Sequence, residues 1–345
     1  MSVPADIFLT PADWLPPTVV KATDALADGL ITHDEARAMG YERLPVSAAE
    51  SAPELAVRAG RAALARAGTR PEAVRTVLHA WTYYQGHDFW SPAHYVARHT
   101  GATSAVPVGI QQMCNGGAAG LEVALARLVA EPDHGPVLVT TGDRFGAPGF
   151  DRWGSDYGVW YGDSGTAAVL ARGGERTDHA LALRALVTEA APELEVVHRD
   201  LDRFQEAAHA AGPTVDVRRT KKAFLTGTGR EPFVAQLRET TSRVVAGALA
   251  QARLAPEDRS VRAVLLPRLG TATAREIYGP AVAAVTEAPA VDLGCDTGHL
   301  GAGDLLSNLA ALRGSGRWSL RAGEHAVVLS AGAGFTWSGV VVQRP

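Results

Sequence analysis

Cys114 and His299 are the residues of this chain whose type and surroundings best suit nucleophilic catalysis. Cys114 lies in VPVGIQQMCNGGAAGLEV (106–123), where an apolar run ends in a polar turn and small residues open a helical stretch. Asn115, Gly116, Gly117, Ala118, Ala119 and Gly120 leave little bulk around the sulfur, so a carbonyl and another segment's backbone can both approach it. A helix N-terminus beside the sulfur favours thiolate over thiol. The competing reading is a buried structural cysteine, a common fate of free cysteines.

Thiolate attack on a carbonyl also needs a base within hydrogen-bond reach and donors for the oxyanion. The turn VDLGCDTGHLGAGD (291–304) supplies the base: His299 stands between Gly298 and Leu300, presented on small residues as Cys114 is. Asp304, five residues on, suits orienting the imidazole and fixing its tautomer. It equally suits capping the helix that begins at Leu305. In LSAGAGFTWSG, Gly332, Ala333 and Gly334 follow an apolar strand, a place for an amide that faces a cleft or for a tight turn between strands.

Carrying these turns requires alternating strands and helices. Residues 1–50 hold many prolines and one helical stretch, Thr32 to Met39, with Thr32 and Asp34 as cap residues, and read as an irregular lead-in. Ala48 to Ala67 has helical spacing and ends at Gly68. VRTVLHAW, VPVGI, PVLVTT and TAAVLA read as strands alternating with helices such as LEVALARLVA, the pattern of parallel βαβ construction. From near Arg172 the order repeats. The Cys114 turn leads through LEVALARLVA to the strand PVLVTTG, and the His299 turn leads through LLSNLAALR to the strand AVVLSAG. This is an internal duplication with equivalent turns facing one cleft, an α/β protein of two halves, 1–174 and 175–345.

The chain has 345 residues, 46% hydrophobic and 20% charged, with a formal charge of -4. Such a balance gives no basic footprint for nucleic acid. Cys114 and Cys295 are its two cysteines, in unlike contexts, so no disulfide framework is expected and the thiols are expected reduced in a cytoplasm. The start carries acids and four prolines in MSVPADIFLTPADWLPPTVV, not a basic region plus an apolar core, and no run is long enough to span a bilayer.

The combination of CNGGAAGLEVAL, LVTTGDRF, WYGDSGTAAVL and AGAGFTWSGVVV, in that order, resembles the thiolase fold, with two duplicated βαβαβ-type halves in a layered α-β-α-β-α core. More narrowly it resembles β-ketoacyl-acyl carrier protein synthase III and its relatives, over nearly the whole chain from about Ala48. In the decarboxylating synthases of that family, a cysteine works with a histidine in a Pro-His-Gln-Ala-Asn segment and an asparagine in a Gly-Asn-Thr segment. Here Leu266, Pro267, Arg268, Leu269 and Gly270 stand in the first segment and Thr297, Gly298 and His299 in the second. Arg268 thus takes the histidine's place and His299 the asparagine's. The pair that stabilises a malonyl enolate is missing, which puts carbon–carbon bond formation in doubt.

A single histidine backed by an aspartate is better suited to deprotonating an alcohol, amine or thiol. This arrangement is similar to the ketosynthase III-like acyltransferases of antibiotic and polyketide pathways. The resemblance implies an acyl-enzyme at Cys114, activation of the acceptor by His299, orientation of His299 by Asp304, and an oxyanion held by the amides of Cys114 and Ala333. It implies an acyl carrier protein or coenzyme A thioester as donor, with acyl-phosphopantetheine or acyl-CoA as substrate and no separate cofactor or metal. The acceptor would be a small-molecule hydroxyl or amine, or a second carrier-protein thiol. Two alternatives are a carbon–carbon bond-forming starter ketosynthase and a non-catalytic partner subunit of a ketosynthase.

Three further residues are substrate-binding candidates: His198, in a segment that forms a lid or tunnel wall in such folds, Arg268, and Trp90. By resemblance Trp90 reaches across a homodimer interface into the partner's acyl pocket, the alternative being ordinary aromatic packing. Arg218, Arg219, Lys221 and Lys222 form a basic run that either receives a phosphopantetheine or acidic carrier protein or is simply solvated. His87, Asp88, His94 and His99 lack the tight spacing of a zinc motif.

Overall fold

The computed structural model describes residues 3–173, 177–207, 210 and 212–345. The expected boundary between halves, at 174 and 175, lies outside the described residues. The strands are β1 Ile7–Trp14, β2 Val19–Lys21, β3 Arg43–Pro45, β4 Thr76–Ala80, β5 Val106–Ile110, β6 Val137–Asp143, β7 Ser164–Arg172, β8 Leu181–Ala190, β9 Val261–Leu265, β10 Ala290–Val291, β11 His325–Gly332 and β12 Thr336–Gln343. Among the described residues β2 and β3 form a small separate sheet, and the other ten strands form one sheet ordered β10-β9-β11-β12-β8-β1-β7-β6-β4-β5.

Read outward from the β1–β8 seam, both halves follow the same order. In the first, β4 pairs in parallel with β5 and β6, and β7 runs antiparallel to β6 and β1. In the second, β9 pairs in parallel with β10 and β11, and β12 runs antiparallel to β11 and β8. The seam is short, with Phe8 opposite Ala182 and Leu9 opposite Leu181. The duplication read from the order of motifs is therefore a duplication of strand order.

Helices separate the sheet halves into layers. The Ala52–Ala67 helix packs on β1, β6 and β7, and the Arg230–Gln251 helix packs on β8 and β12. Between them the Gly116–Ala130 and Asp304–Ala311 helices touch each other. Their buried residues Leu121, Leu125, Leu128, Leu305, Leu306 and Leu309 share one apolar core with both half-sheets. The result is the α-β-α-β-α stack of the thiolase fold. Strands such as VLVTTGD in β6 are buried along their whole length, as expected where helices cover both faces.

Local signals place the helix ends well. Ser51 N–H donates to Glu54 Oε2 at 2.7 Å, a capping box that starts the Ala52–Ala67 helix four residues later than Ala48. Thr32 and Glu35 form a second such box before His33–Met39, so Thr32 is the cap and Asp34 lies within the first turn. The N-terminal expectation fails: residues 7–14 are not an irregular lead-in but β1, a central strand whose Ile7, Leu9 and Ala12 are fully buried. Pro11 argues against a central strand because it donates no ladder bond. Here β1 is laddered to β8 only at Phe8 and Leu9, so Pro11 lies beyond the doubly paired part.

Candidate active site

Two equivalent connections meet where the half-folds join. After β5 the chain makes a tight turn at Met113–Asn115 and enters the Gly116–Ala130 helix. Met113 has φ 49°, in the left-handed region, a conformation that costs free energy for a side-chain-bearing residue. The small residues after Cys114 have a steric reason. A Cβ on Gly116 would lie 2.9 Å from Ala80 Cβ, and one on Gly117 would lie 2.7 Å from the Ala302 carbonyl oxygen. The helix start is thus pressed between the end of β4 and the turn that follows His299.

That second turn is held from both sides. His299 N–H donates to the Trp160 carbonyl at 2.8 Å, and Gly162 N–H donates to the His299 carbonyl at 2.9 Å. Gly301 sits at φ 60°, available to glycine at little cost. Ala302 N–H donates to Asp143 Oδ2 at 2.9 Å, while Thr82 and Tyr83 N–H donate to Asp143 Oδ1 at 2.8 and 2.9 Å. Asp143, at the end of β6, therefore clamps the His299 turn to the loop after β4. Burial pushes its pKa up to about 6, against the pull of the Ala302, Tyr83 and Thr82 N–H groups.

His299 is 2% exposed, and its Nδ1–H donates to Asp304 Oδ2 at 2.6 Å. Asp304 also accepts from Leu300 N–H at 2.8 Å and Arg268 N–H at 2.8 Å. The structure bears out the orienting reading and not the capping one: Asp304 is the first residue of the Asp304–Ala311 helix, and its carboxylate accepts from His299, Leu300 and Arg268 and not from that helix's own N–H groups. Burial works against the imidazolium, but the charges of Asp304 and then Cys114, with hydrogen bonds to both, hold the His299 pKa well above the ordinary histidine value. Burial likewise opposes ionisation of Asp304, and the neighbouring His299 and Arg268 charges outweigh it and hold its pKa low. With Nδ1 committed to Asp304, Nε2 is the ring atom left for proton exchange with Cys114 or an acceptor.

Cys114 and His299 open into a cavity of about 460 Å³. Its walls are largely apolar and aromatic, including Tyr83, Phe145, Phe150, Tyr161, Phe233 and Phe335. Ala333 and Gly332 line it beside Cys114, and Gly332 pairs with Thr336 across the β11–β12 turn. A Cβ on Gly332 would lie 2.5 Å from Asn115 N, so this strand end abuts the nucleophile turn. His198 lines the same cavity. Its Nδ1 is buried without a partner among the described residues, its ring lies 5.6 Å from that of Phe335, and burial followed by Lys221 lowers its pKa to about 4.

The other candidates fall elsewhere. Arg268 is 4% exposed and does not line the cavity; its guanidinium is spent on Asn308, Thr297 and Ser307. Trp90 lies outside the lining on an exposed loop, packed edge-on against His87 and Tyr95. The basic run is divided: Arg218 reaches Glu35, Arg219 pairs with Asp202, and Lys221 binds Asp156 on the cavity wall at 2.5 Å. His94 bonds Ser91, and His99 stacks on Tyr95. Residues missed in the sequence are Asp143, Asp156 and Tyr161. A lone acid at the end of the apolar β6 marks the first; the others carry no local signal, since their partners are distant in the chain.

Comparison with solved structures agrees with this fold. The chain is similar to ChlB3, an acyltransferase, at 29% identity over 98% of both chains with a TM-score of 0.88. It is also similar to 3-oxoacyl-(acyl carrier protein) synthase III of Pseudomonas aeruginosa PAO1, at 21% identity over 99% of this chain and 98% of that one, TM-score 0.74. AbyA1, a tetronic acid condensing enzyme, aligns at 21% identity over 98% and 99% of the chains, TM-score 0.74. The protein has the thiolase fold and is similar to ketosynthase III-like enzymes. No family model and no curated relative matches it.

Proposed function

We propose that the protein is an acyltransferase that takes an acyl group from an acyl carrier protein or coenzyme A thioester onto Cys114. It then delivers the group to a hydroxyl, amine or carrier-protein thiol. The observation that carries this reading is that Cys114 and His299 share one aromatic cavity with Asp304 behind His299 and Arg268 turned away from it. The thiolate attacks the thioester carbonyl, the amides of Cys114 and Ala333 receive the oxyanion, and the donor leaves as a thiol with the proton given up by the His299 imidazolium, which leaves Nε2 free. His299 Nε2 then takes the acceptor's proton as the acceptor attacks the acyl-enzyme, and the thiolate is released. Asp304 holds Nδ1–H and stabilises the imidazolium.

The similarity to ChlB3, an acyltransferase, supports acyl transfer, and the reading assigns the reaction to secondary metabolism. The reading includes a cytoplasmic homodimer in which Trp90 meets the partner's acyl pocket, needing no cofactor beyond the thioester. Intact-mass measurement after exposure to a panel of acyl thioesters tests it. An adduct that forms on the protein and vanishes in Cys114→Ala is expected. Release of carbon dioxide with a malonyl carrier protein would instead favour condensation, and no adduct from any thioester would favour a non-catalytic subunit.

A further inference from the structure

We infer that Arg268 is the positioning residue of the His299–Asp304 pair, acting from behind it as a buried cation and never touching substrate. Three side-chain bonds fix the guanidinium: Nε to Asn308 Oδ1 at 2.9 Å, Nη1 to Thr297 Oγ1 at 2.8 Å, and Nη2 to Ser307 Oγ at 2.9 Å. Its own backbone N–H donates to Asp304 Oδ2 at 2.8 Å, the same oxygen that accepts from His299. One residue therefore grips the turn before His299 through Thr297, the helix that carries Asp304 through Ser307 and Asn308, and Asp304 itself.

The guanidinium is planar and always charged, so it can hold this fork where an ammonium cannot. Its charge has a second effect. Burial works against it, and the carboxylates of Asp304, Asp13 and Asp292 favour it. Ser307 Oγ passes the contact on to Asp13 Oδ2 at 2.9 Å. A fixed cation beside Asp304 favours its carboxylate form and disfavours a further proton on the pair. The other titratable groups facing the pair are Cys114 across the cleft, Tyr161 with its ring 5.3 Å from that of His299, and Tyr278 from the π-turn before Gly279. Tyr41 donates to the Arg268 carbonyl, and Asp143 holds the turn at Ala302.

Arg268 thus keeps Asp304 ionised, and the pair aligned, to lower pH than His299 and Asp304 would manage alone. The inference deepens the proposed mechanism, but its test needs no acyl substrate. The probe is iodoacetamide, and the reading is the pH dependence of alkylation at Cys114, resolved from exposed Cys295 by peptide mass. Arg268→Gln removes the charge and moves the acid limb of the profile upward by about 1 pH unit. Arg268→Lys retains the charge, so its limb stays within a few tenths of a unit of wild type even where its melting temperature falls. A folded Arg268→Gln with an unmoved limb, or a Lys variant shifted as far as Gln, overturns the inference.

If Arg268→Gln does not fold, Asp13→Asn carries the test. It leaves the guanidinium less compensated and moves the limb downward, and an unmoved limb overturns the inference. Failure of the proposed function is separate, because it appears as the lack of any acyl adduct on a Cys114 whose alkylation profile is intact.

Discussion

Asp304 Oδ2 receives two hydrogen bonds at once, from His299 Nδ1–H at 2.6 Å and from the Arg268 amide at 2.8 Å, while its other oxygen holds Leu300 N–H. A carboxylate saturated in this way cannot rotate without losing a bond, and the imidazole it holds cannot turn over. The orientation of the base is therefore fixed by three separated pieces of chain: the β9 connection, the His299 turn and the start of the Asp304–Ala311 helix.

Asp304→Asn keeps the size of the side chain but removes the charge. It also places an amide NH₂ on one of the two oxygen positions, both of which face N–H donors. The expected outcome is a fall of about 100-fold or more in acyl turnover, measured as loss of acyl adduct over time, with the protein still folded by circular dichroism.

Stability should depend on pH in a direction set by this pair. His299 has a folded pKa above its unfolded value, so its contribution is fully present below about pH 6.5 and is lost as pH rises through the folded pKa. Asp304 has a depressed folded pKa, so its contribution is present above about pH 3.9 and is lost as pH falls through the folded value. The difference in melting temperature between wild type and His299→Gln is then largest between about pH 4 and 6.5 and shrinks at higher pH. A difference that grows with pH would contradict the ion-pair assignment.

Gly332→Val tests the contact between the end of β11 and the nucleophile turn. The new side chain starts 2.5 Å from Asn115 N and 2.9 Å from the Gln112 carbonyl oxygen, so the turn bearing Cys114 must shift. Because a misplacement of the order of 1 Å costs about 100-fold in a positioned reaction, acylation of Cys114 should fall by that order. Iodoacetamide should still reach the thiol, which separates a displaced nucleophile from a lost one.

Much of this protein was legible in its sequence because periodicity, small-residue runs and motif order are local properties. Cys114, His299 and Asp304 share the cavity wall or stand directly behind it, as their turns suggested, and the repeated element order became a repeated strand order. The N-terminal strand was hidden because Pro11 reads as a strand breaker until its neighbours β7 and β8 are known.

The role of Arg268 was hidden for a different reason. Its partners Thr297, Asp304, Ser307 and Asn308 lie 29 to 40 residues away, and a side chain's direction is not encoded in its position along the chain. Likewise Asp143 shows in the sequence only as an acid ending an apolar strand, while its three N–H partners come from loops of both halves. The sequence by itself determined which residues could do chemistry and on which turns they stand. Tertiary packing decided which of them meet, because burial in a shared cleft removes competing water and leaves each charged group only the partners the fold provides.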